Sequence, residues 1–137
     1  MGLIYAEIFL SNAEEDGLAR RGMIKKDEIR CGAFNAMVDT GAYRMVISEH
    51  ICLQLGLEIV EEREVELADG TFRMIPMAGP INVKFENRKA ICNAFILGNE
   101  VLLGAIPLEE LDVVIDPKKQ KLIVNPENPM MPKMKIK

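Results

Sequence analysis

Six consecutive residues, Val38-Asp39-Thr40-Gly41-Ala42-Tyr43, constrain the fold of this chain more than any other segment. Residues 33–38 are mostly apolar and can form a strand. The strand ends at a carboxylate and a Thr-Gly turn, where glycine adopts backbone angles that other residues avoid. An aspartate that opens an ordinary surface turn is the simpler interpretation of Asp-Thr-Gly taken alone, because short motifs match by chance. Evidence from other segments of the chain is needed to distinguish an ordinary turn residue from a functional acid at Asp39.

Length and composition limit the class of protein. With 137 residues the chain can form one domain with its own core, and 49% hydrophobic residues are typical of a globular protein. No apolar run approaches the roughly 18 residues that span a bilayer. A net charge of −4 argues against nucleic-acid binding. We therefore expect neither a membrane nor a nucleic acid among the partners.

The cysteine and histidine counts narrow the chemistry. The chain has three cysteines, Cys31, Cys52 and Cys92, an odd number that are far apart in the sequence, so we expect reduced thiols and no disulfide framework. The N-terminus lacks signal-peptide features, and we therefore expect a cytoplasmic protein. His50 is the single histidine, which nearly removes Ser-His-Asp and Cys-His catalysis and leaves no histidine cluster for zinc. A metal site at Asp39 lacks further ligands at useful spacing, so we expect no metal and no cofactor.

The C-terminal segment differs from the rest in charge and in proline content. Residues 117–137 hold six lysines and one acid, a net charge of +5, while the remainder holds 11 basic and 20 acidic residues, a net of −9. Pro126, Pro129 and Pro132 disfavour regular structure. We expect a single domain over residues 1–125 and a Pro/Lys-rich tail over 126–137, either solvated or docked on the domain or on a second subunit.

Many short strands with regular turns predict a mainly β protein, a small closed β-barrel with two short helices. The expected strands cover residues 3–10, 23–31 (weaker), 33–38, 58–68, 71–76, 80–97 as a hairpin, 101–105, 113–116 and 121–124, and residues 11–22 are expected to be a loop. The helices are expected over residues 48–55, with Ser48 as N-cap and Gly56 as the stop, and from Pro107 to Leu111. A weak internal repeat relates residues 38–42 to 101–105, since each is a strand that ends in Gly-Ala before a short helix.

Asp69-Gly70 is a strong signal for a two-residue hairpin turn. Pairing outward from it sets Ala68 opposite Thr71, Leu67 opposite Phe72, Glu66 opposite Arg73 and Val65 opposite Met74. Pro76 is expected to end the return strand. Two interpretations stay open: a plain structural hairpin, or a mobile flap with Asp69-Gly70 at its tip.

With Asp-Thr-Gly-Ala, the Asp-Gly hairpin and Leu-Leu-Gly in this order, residues 36–117 resemble the retropepsin-like (retroviral-type) aspartic proteases, above all their small prokaryotic members. The resemblance implies that Asp39, Thr40 and Gly41 are catalytic and that Leu102, Leu103 and Gly104 brace the active-site loop. It also implies that substrate contacts come from Ala42 and from a flap built by Leu67, Ala68, Asp69, Gly70, Thr71 and Phe72. Tyr43 and Arg44 stand where small or polar residues are usual in that family, the flap tip is not glycine-rich, and the N-terminal loop is longer and charged.

The chemistry implied is amide hydrolysis by an activated water. It needs a base for the water and an acid for the substrate, and two close carboxylates that share a proton supply both. One chain has a single Asp-Thr-Gly, so the resemblance implies a homodimeric aspartic endopeptidase that pairs two copies of Asp39 and cleaves a peptide or protein. The alternative from another class is a catalytically silent barrel that binds peptides or mediates dimerisation.

Overall fold

The computed structural model of the protein describes residues 3–136, so Met1, Gly2 and Lys137, which the expected domain and tail include, lie outside the described residues. In chain order the elements are β1 (Tyr5–Asn12), α1 (Ala13–Arg20), a 3-10 turn (Lys26–Glu28), β2 (Cys31–Val38), β3 (Met45–Ile47), α2 (Glu49–Gln54), β4 (Glu58–Glu66), β5 (Phe72–Phe85), β6 (Arg88–Ile96), β7 (Val101–Leu103), α3 (Ala105–Leu111), β8 (Val113–Asp116) and β9 (Lys121–Val124). Strands dominate, so the prediction of a mainly β protein is confirmed.

Six strands form a closed ring in the order β1, β2, β7, β3, β6, β5 and back to β1. The ring closes where β1 pairs antiparallel with β5, from Phe9 opposite Lys84 to Asn12 opposite Ile81. β2 lies parallel to β7 and β3 lies parallel to β6, and parallel neighbours require crossover connections rather than hairpins. The predicted closed β-barrel is confirmed, and β8 and β9 form a separate two-stranded ribbon.

Alternate side chains of the strands fill the barrel. In β1 the side chains of Ala6, Ile8 and Leu10 are buried, whereas Tyr5 and Phe9 point outward and are exposed. The rest of the core includes Ala36, Met45, Ile47, Leu55, Met77, Ile81, Val83, Ala94, Leu103 and Leu111. A one-residue slip would turn the apolar set of a strand into solvent, so this core fixes the register and the position of the residues that follow each strand.

Among the described strands of the larger sheet, β4 lies outside the ring and pairs only with β5. Five of its nine residues are glutamates, and charged side chains at a free strand edge oppose pairing with other chains. Together, β4 and the start of β5 form a two-stranded arm (residues 58–76). Its side chains are mostly exposed, including Phe72 at 62% and Met74 at 56%. The arm therefore has little core beneath it.

The predicted register of the arm is wrong by one residue. Glu66 lies opposite Phe72, Val65 opposite Arg73 and Glu64 opposite Met74. The loop has three residues instead of two, because Leu67 N–H donates to the Thr71 carbonyl (2.8 Å) and Gly70 N–H donates to the Leu67 carbonyl (2.9 Å). Gly70 takes a left-handed conformation (φ +85°), as a three-residue hairpin loop with a bulge requires.

The return strand does not end at Pro76, as the sequence predicted. β5 continues through Pro76 to Phe85 and pairs with β4 on one side and with β6 on the other. Pairing with β6 begins only at Met77, opposite Phe95, so Pro76 lies where β5 has a single neighbour. A proline without an N–H donor is tolerated at such a position.

Two predictions before β2 are also wrong. Residues 11–22 are not a loop, because residues 13–20 form α1: the Asn12 side chain accepts a hydrogen bond from Glu15 N–H, and acids occupy the first turn. Residues 23–31 are not a strand, since they contain the 3-10 turn and β2 starts only at Cys31. The four charged residues at 25–28 fit an exposed turn better than a strand of this barrel.

The two predicted helices are present, but the described residues hold three α-helices rather than two. α2 has Ser48 as its N-cap, with the side chain accepting from Ile51 N–H, as predicted. α3 begins at Ala105, two residues before Pro107, which lies in its first turn. Among residues 3–136 no helix combines the length and the apolar character needed to cross a membrane.

Residues 125–136 contain no helix or strand, but side chains hold this segment to the barrel. The carboxylate of Asp112 accepts hydrogen bonds from the Asn125 side chain (2.9 Å), the Asn128 side chain (2.8 Å) and Lys133 N–H (3.0 Å). Arg88 is 1% exposed and donates to the carbonyls of Asp112 and Asn128. The Asn125 side chain, the Lys133 N–H and the Asn128 side chain lower the pKa of Asp112 below its ordinary value.

We predict that Asp112→Asn releases this segment, because the amide offers the three donors a weaker acceptor. Asparagine tolerates the left-handed conformation of Asp112 (φ 55°), so the backbone itself is not strained. Amide hydrogen exchange at residues 125–133 should become faster while the barrel strands keep their protection. Asp116→Asn removes an equal charge at the end of β8, where the side chain accepts from Lys118 N–H, and is the matched control. Equal exchange in the variant and the wild type would contradict the prediction.

The same contact predicts a pH dependence. The folded-state pKa of Asp112 is lower than its ordinary value of 3.8, so the carboxylate contributes its full stabilisation above that value. The contribution is lost as the pH falls through the lower folded-state pKa. Protection of residues 125–133 should therefore persist from neutral pH down to about pH 4 and decline below it in the wild type.

Candidate active site

Asp39 follows directly on the last residue of β2, where β2 lies beside β7. Val38 pairs with Leu103 in the parallel ladder, and Asp39 N–H donates to the Leu103 carbonyl (3.0 Å). On the other side, Val38 N–H donates to the Ile4 carbonyl (2.8 Å). The backbone of the predicted catalytic residue is therefore held by the barrel wall and not by a free loop.

The Thr40-Gly41 turn folds back over the carboxylate of Asp39. Gly41 N–H donates to Asp39 Oδ1 (3.0 Å), and Ala42 N–H donates to the Asp39 carbonyl (3.2 Å). A Cβ on residue 41 would lie 3.2 Å from Oδ1, so a residue without a side chain suits the turn. Asp39 is partly buried while Thr40 and Gly41 are exposed. One carboxylate oxygen is thus oriented by the backbone, and no described residue hydrogen-bonds the other.

The segment predicted as support lies against the residues that follow this turn. The N–H groups of Ala105 and Ile106 donate to the carbonyls of Ala42 (2.7 Å) and Tyr43 (2.9 Å). These donors begin α3, where backbone N–H groups have no partner within the helix. A Cβ at Gly104 would lie 2.4 Å from the Arg44 carbonyl oxygen and 2.7 Å from that of Ala42. The close approach therefore requires glycine at residue 104.

A cleft of about 520 Å³ lies between residues 41–44 and the stem of the arm. Its lining comprises Gly41, Ala42, Tyr43, Arg44, Val46, Arg63, Glu64, Val65, Glu66, Ile75, Phe95 and Leu97. The walls are mainly apolar, with charged groups of both signs at the arm and at Arg44. The cleft therefore combines apolar walls with charged groups of both signs.

The structure brings only part of the predicted substrate-binding set to this cleft. Ala42 lines it, whereas residues 67–72 form the tip of the arm beyond it. Their role in substrate binding stays a prediction. The sequence analysis missed the stem residues 63–66, Phe95 at the end of β6, and Leu97, which follows that strand. β6 reaches the site because it pairs in parallel with β3, a non-local contact with no signal in the sequence.

Thr40 faces a second, more apolar hollow of about 410 Å³ between α3 and β8, lined also by Leu108, Val113 and Ile115. Large apolar side chains near the Asp39 turn are exposed: Tyr43 is 78% exposed, Ile106 45% and Val114 38%. The tip of the turn is therefore surrounded by apolar surface that this chain does not cover.

Within residues 3–136, no three His, Cys, Asp or Glu side chains lie close enough together to hold a metal ion. His50 is exposed on α2 and does not line the cleft. Asp39 is the acid at the base of this turn, and its catalytic role stays a prediction.

We predict that Gly104→Ala displaces the Asp39 turn. Gly104 has φ −88°, which any residue can adopt, so the penalty comes from contact with the backbone of residues 42–44. We expect a loss of about 1–3 kcal/mol in the free energy of unfolding, measured by urea denaturation. Gly17→Ala is the control, because its Cβ would make only an ordinary 3.6 Å contact within α1 and should be neutral or stabilising. Equal stability of Gly104→Ala and the wild type would show that the contact can relax.

Comparison with known proteins adds a fold relationship. No protein-family model and no curated protein sequence matches this chain. Among solved structures, the retroviral protease-like domain of Ddi1 from Leishmania major is similar, with a TM-score of 0.56 and 13% sequence identity over 92% of this chain and 90% of that one. At this identity the likeness shows the fold alone. Residues 3–136 thus form a closed six-stranded barrel with three short α-helices, matching a retropepsin-like fold.

Proposed function

We propose that the protein is a homodimeric aspartic endopeptidase in which two copies of Asp39 activate water to hydrolyse a peptide bond. The observation that carries the proposal is the fixed carboxylate of Asp39. Its backbone is bonded to β7, its Oδ1 is bonded to Gly41 N–H, and the residues after it are held by Gly104 and the start of α3. Such fixed placement beside a cleft is what proximity catalysis requires.

The proposed mechanism assigns both proton transfers to the two carboxylates. Two close carboxylates do not ionise together readily, so they share one proton and titrate as a pair. The ionised member removes a proton from the attacking water, while the protonated member donates to the substrate carbonyl. In the collapse of the tetrahedral intermediate, the carboxyl that took the water proton gives it to the amine nitrogen as the C–N bond breaks. The other carboxylate takes a proton from a hydroxyl of the intermediate, so the starting protonation state returns.

Other aspartates of the same chain are poor candidates for the second carboxylate, because most are engaged elsewhere. Side-chain or backbone donors hold four of them: Asp16 by Asn82, Asp69 by Thr71, Asp112 by Asn125 and Asp116 by Lys118. Asp27 lies in the 3-10 turn before β2. A second copy of Asp39 is therefore the better candidate for the partner acid.

Surface chemistry near Asp39 supports a second subunit there. The exposed Tyr43, Ile106 and Val114 surround the turn, and Thr40 stands at its exposed tip. A two-fold axis through this region would bury the apolar groups and bring each Asp39 to its symmetry copy. The Thr40 hydroxyls would then be placed to bond across the axis.

The proposed substrate is an extended peptide or an unfolded protein segment. The cleft runs between the fixed turn and the stem of the arm, so a bound substrate would lie there in an extended conformation. The arm has little core beneath it, so it can move to admit and cover the substrate. Val46, Val65, Ile75 and Phe95 provide apolar walls for the side chains of the substrate.

We predict that Asp39→Asn removes peptidase activity while the protein stays folded. Asparagine keeps the shape and the Gly41 contact but cannot share a proton, so turnover should fall by about 10³-fold or more. Cleavage of an unfolded protein mixture between acidic and neutral pH, with and without pepstatin, measures this. Asp27→Asn, in the exposed 3-10 turn before β2, should keep wild-type activity. The silent-barrel alternative would be supported instead if the wild type cleaved no substrate and if the wild type and Asp39→Asn bound peptides with equal affinity.

A mixing experiment tests whether activity belongs to the dimer. A mixed dimer of wild type and Asp39→Asn holds a single ionisable carboxylate at the axis, so excess variant should inactivate wild-type chains by pairing with them. Subunit exchange is followed independently by mass spectrometry of differently labelled chains. If activity tracks the amount of wild-type chain despite exchange, each chain works alone and the dimer proposal is wrong.

A further inference from the structure

A hollow of about 380 Å³ opens on the outer face of the barrel, away from the residues of the Asp39 cleft. The outward side chains of β1 and β5, including Phe9, Ser11 and Lys84, form its floor. α1 and the residues from the 3-10 turn to Ile29 form its walls. None of its lining residues is used by the proposed peptidase.

The lining of this hollow is positively charged, although the chain as a whole carries −4. Arg20, Lys26 and Lys84 come from three different elements, and Asp16 is the one acid among the described lining residues, which leaves a net of +2. Asp16 is already engaged: its carboxylate accepts a hydrogen bond from Asn82 and lies 3.7 Å from Arg20. The acid therefore leaves the two lysines uncompensated.

Lys26 and Lys84 have no counter-ion within 4.0 Å among the described residues, whereas Lys89 lies 3.8 Å from Asp16. Lys84 also pairs directly with Lys89 across the β5–β6 ladder. Like charges directly opposite each other destabilise a sheet, so stability alone gives no reason for a lysine at residue 84. An anion in the hollow would relieve this repulsion.

We propose that the hollow binds the phosphate group of a small molecule. The ammonium groups of the two lysines are best matched by a ligand that carries two negative charges on one compact group. A phosphate monoester or pyrophosphate carries them at neutral pH. Lysine binds phosphate as a point charge, and the guanidinium fork of Arg20 can bond two phosphate oxygens. The Ser11 hydroxyl at the floor adds a neutral donor. A carboxylate with a single charge would leave one lysine unpaired.

Cys31 lines the hollow and is the exposed thiol among the three free cysteines, so it reports occupancy. Burial raises the pKa of Cys92 to about 12 and also raises the pKa of Cys52, which slows their alkylation. The experiment measures the rate of Cys31 alkylation by neutral iodoacetamide, read by peptide mass spectrometry, during titration with inorganic pyrophosphate. Sodium chloride at matched ionic strength controls for screening. We expect saturable protection of at least about fivefold, well beyond the effect of screening by matched salt.

The variant Lys26→Gln/Lys84→Gln removes the proposed ligands from two exposed positions and should lose the protection. Lys118→Gln/Lys119→Gln, with an equal charge change in the exposed β8–β9 turn, should keep it. The midpoint of thermal unfolding gives a second readout, rising with pyrophosphate in the wild type and the control but not in the Lys26→Gln/Lys84→Gln variant. The proposal would be overturned if pyrophosphate gave no saturable protection of Cys31, or if both double variants lost the protection equally. Asp39→Asn should bind pyrophosphate like the wild type, so failure of this proposal and failure of the peptidase proposal can be told apart.

Discussion

The approach of the Asp39 turn to the start of α3 is the contact on which the arrangement of the site depends. Gly104 has no side chain, so the backbone of residues 42–44 can pass directly over it. That approach brings the carbonyls of Ala42 and Tyr43 onto the first N–H groups of α3, which would otherwise lack partners inside the protein. A steric requirement at one residue thus satisfies four polar backbone groups and fixes the residues that follow Asp39.

The same contact divides the molecule into a rigid part and a part that can move. Asp39, residues 42–44 and α3 are tied to the β2–β7 ladder, whose inward side chains belong to the core. The arm faces them across the cleft with mostly exposed side chains and a single strand pairing. In the proposed peptidase, a substrate entering the cleft would therefore displace the arm and leave the carboxylate of Asp39 in place, as catalysis by positioning requires.

Local signals predicted local structure well. The strand before Asp39, the Ser48 cap of α2 and the β8–β9 turn depend on neighbouring residues, and the structure confirms them. The arm register failed because Asp69-Gly70 fits both two-residue and three-residue loops, and only the tertiary fold selects one. α1 was missed because its short polar sequence lacks an apolar stripe, although Asn12 and the acids after it were a readable cap. The contact between the Asp-Thr-Gly and Leu-Leu-Gly segments was predicted from the sequence. The cleft walls that contain Arg63 and Phe95 were not predicted, because they depend on pairing between strands that are distant in the sequence.

Symmetry places a condition on the proposed mechanism. In a two-fold dimer, both copies of Asp39 have the same Gly41 donor and the same surroundings, so no difference in local environment can make one the acid and the other the base. The difference must arise from repulsion between the two carboxylates, which favours one shared proton, and from a bound peptide, whose two ends are chemically unlike. The free dimer would then be a symmetric pair with an unassigned proton, and binding of the substrate would decide which copy of Asp39 activates the water.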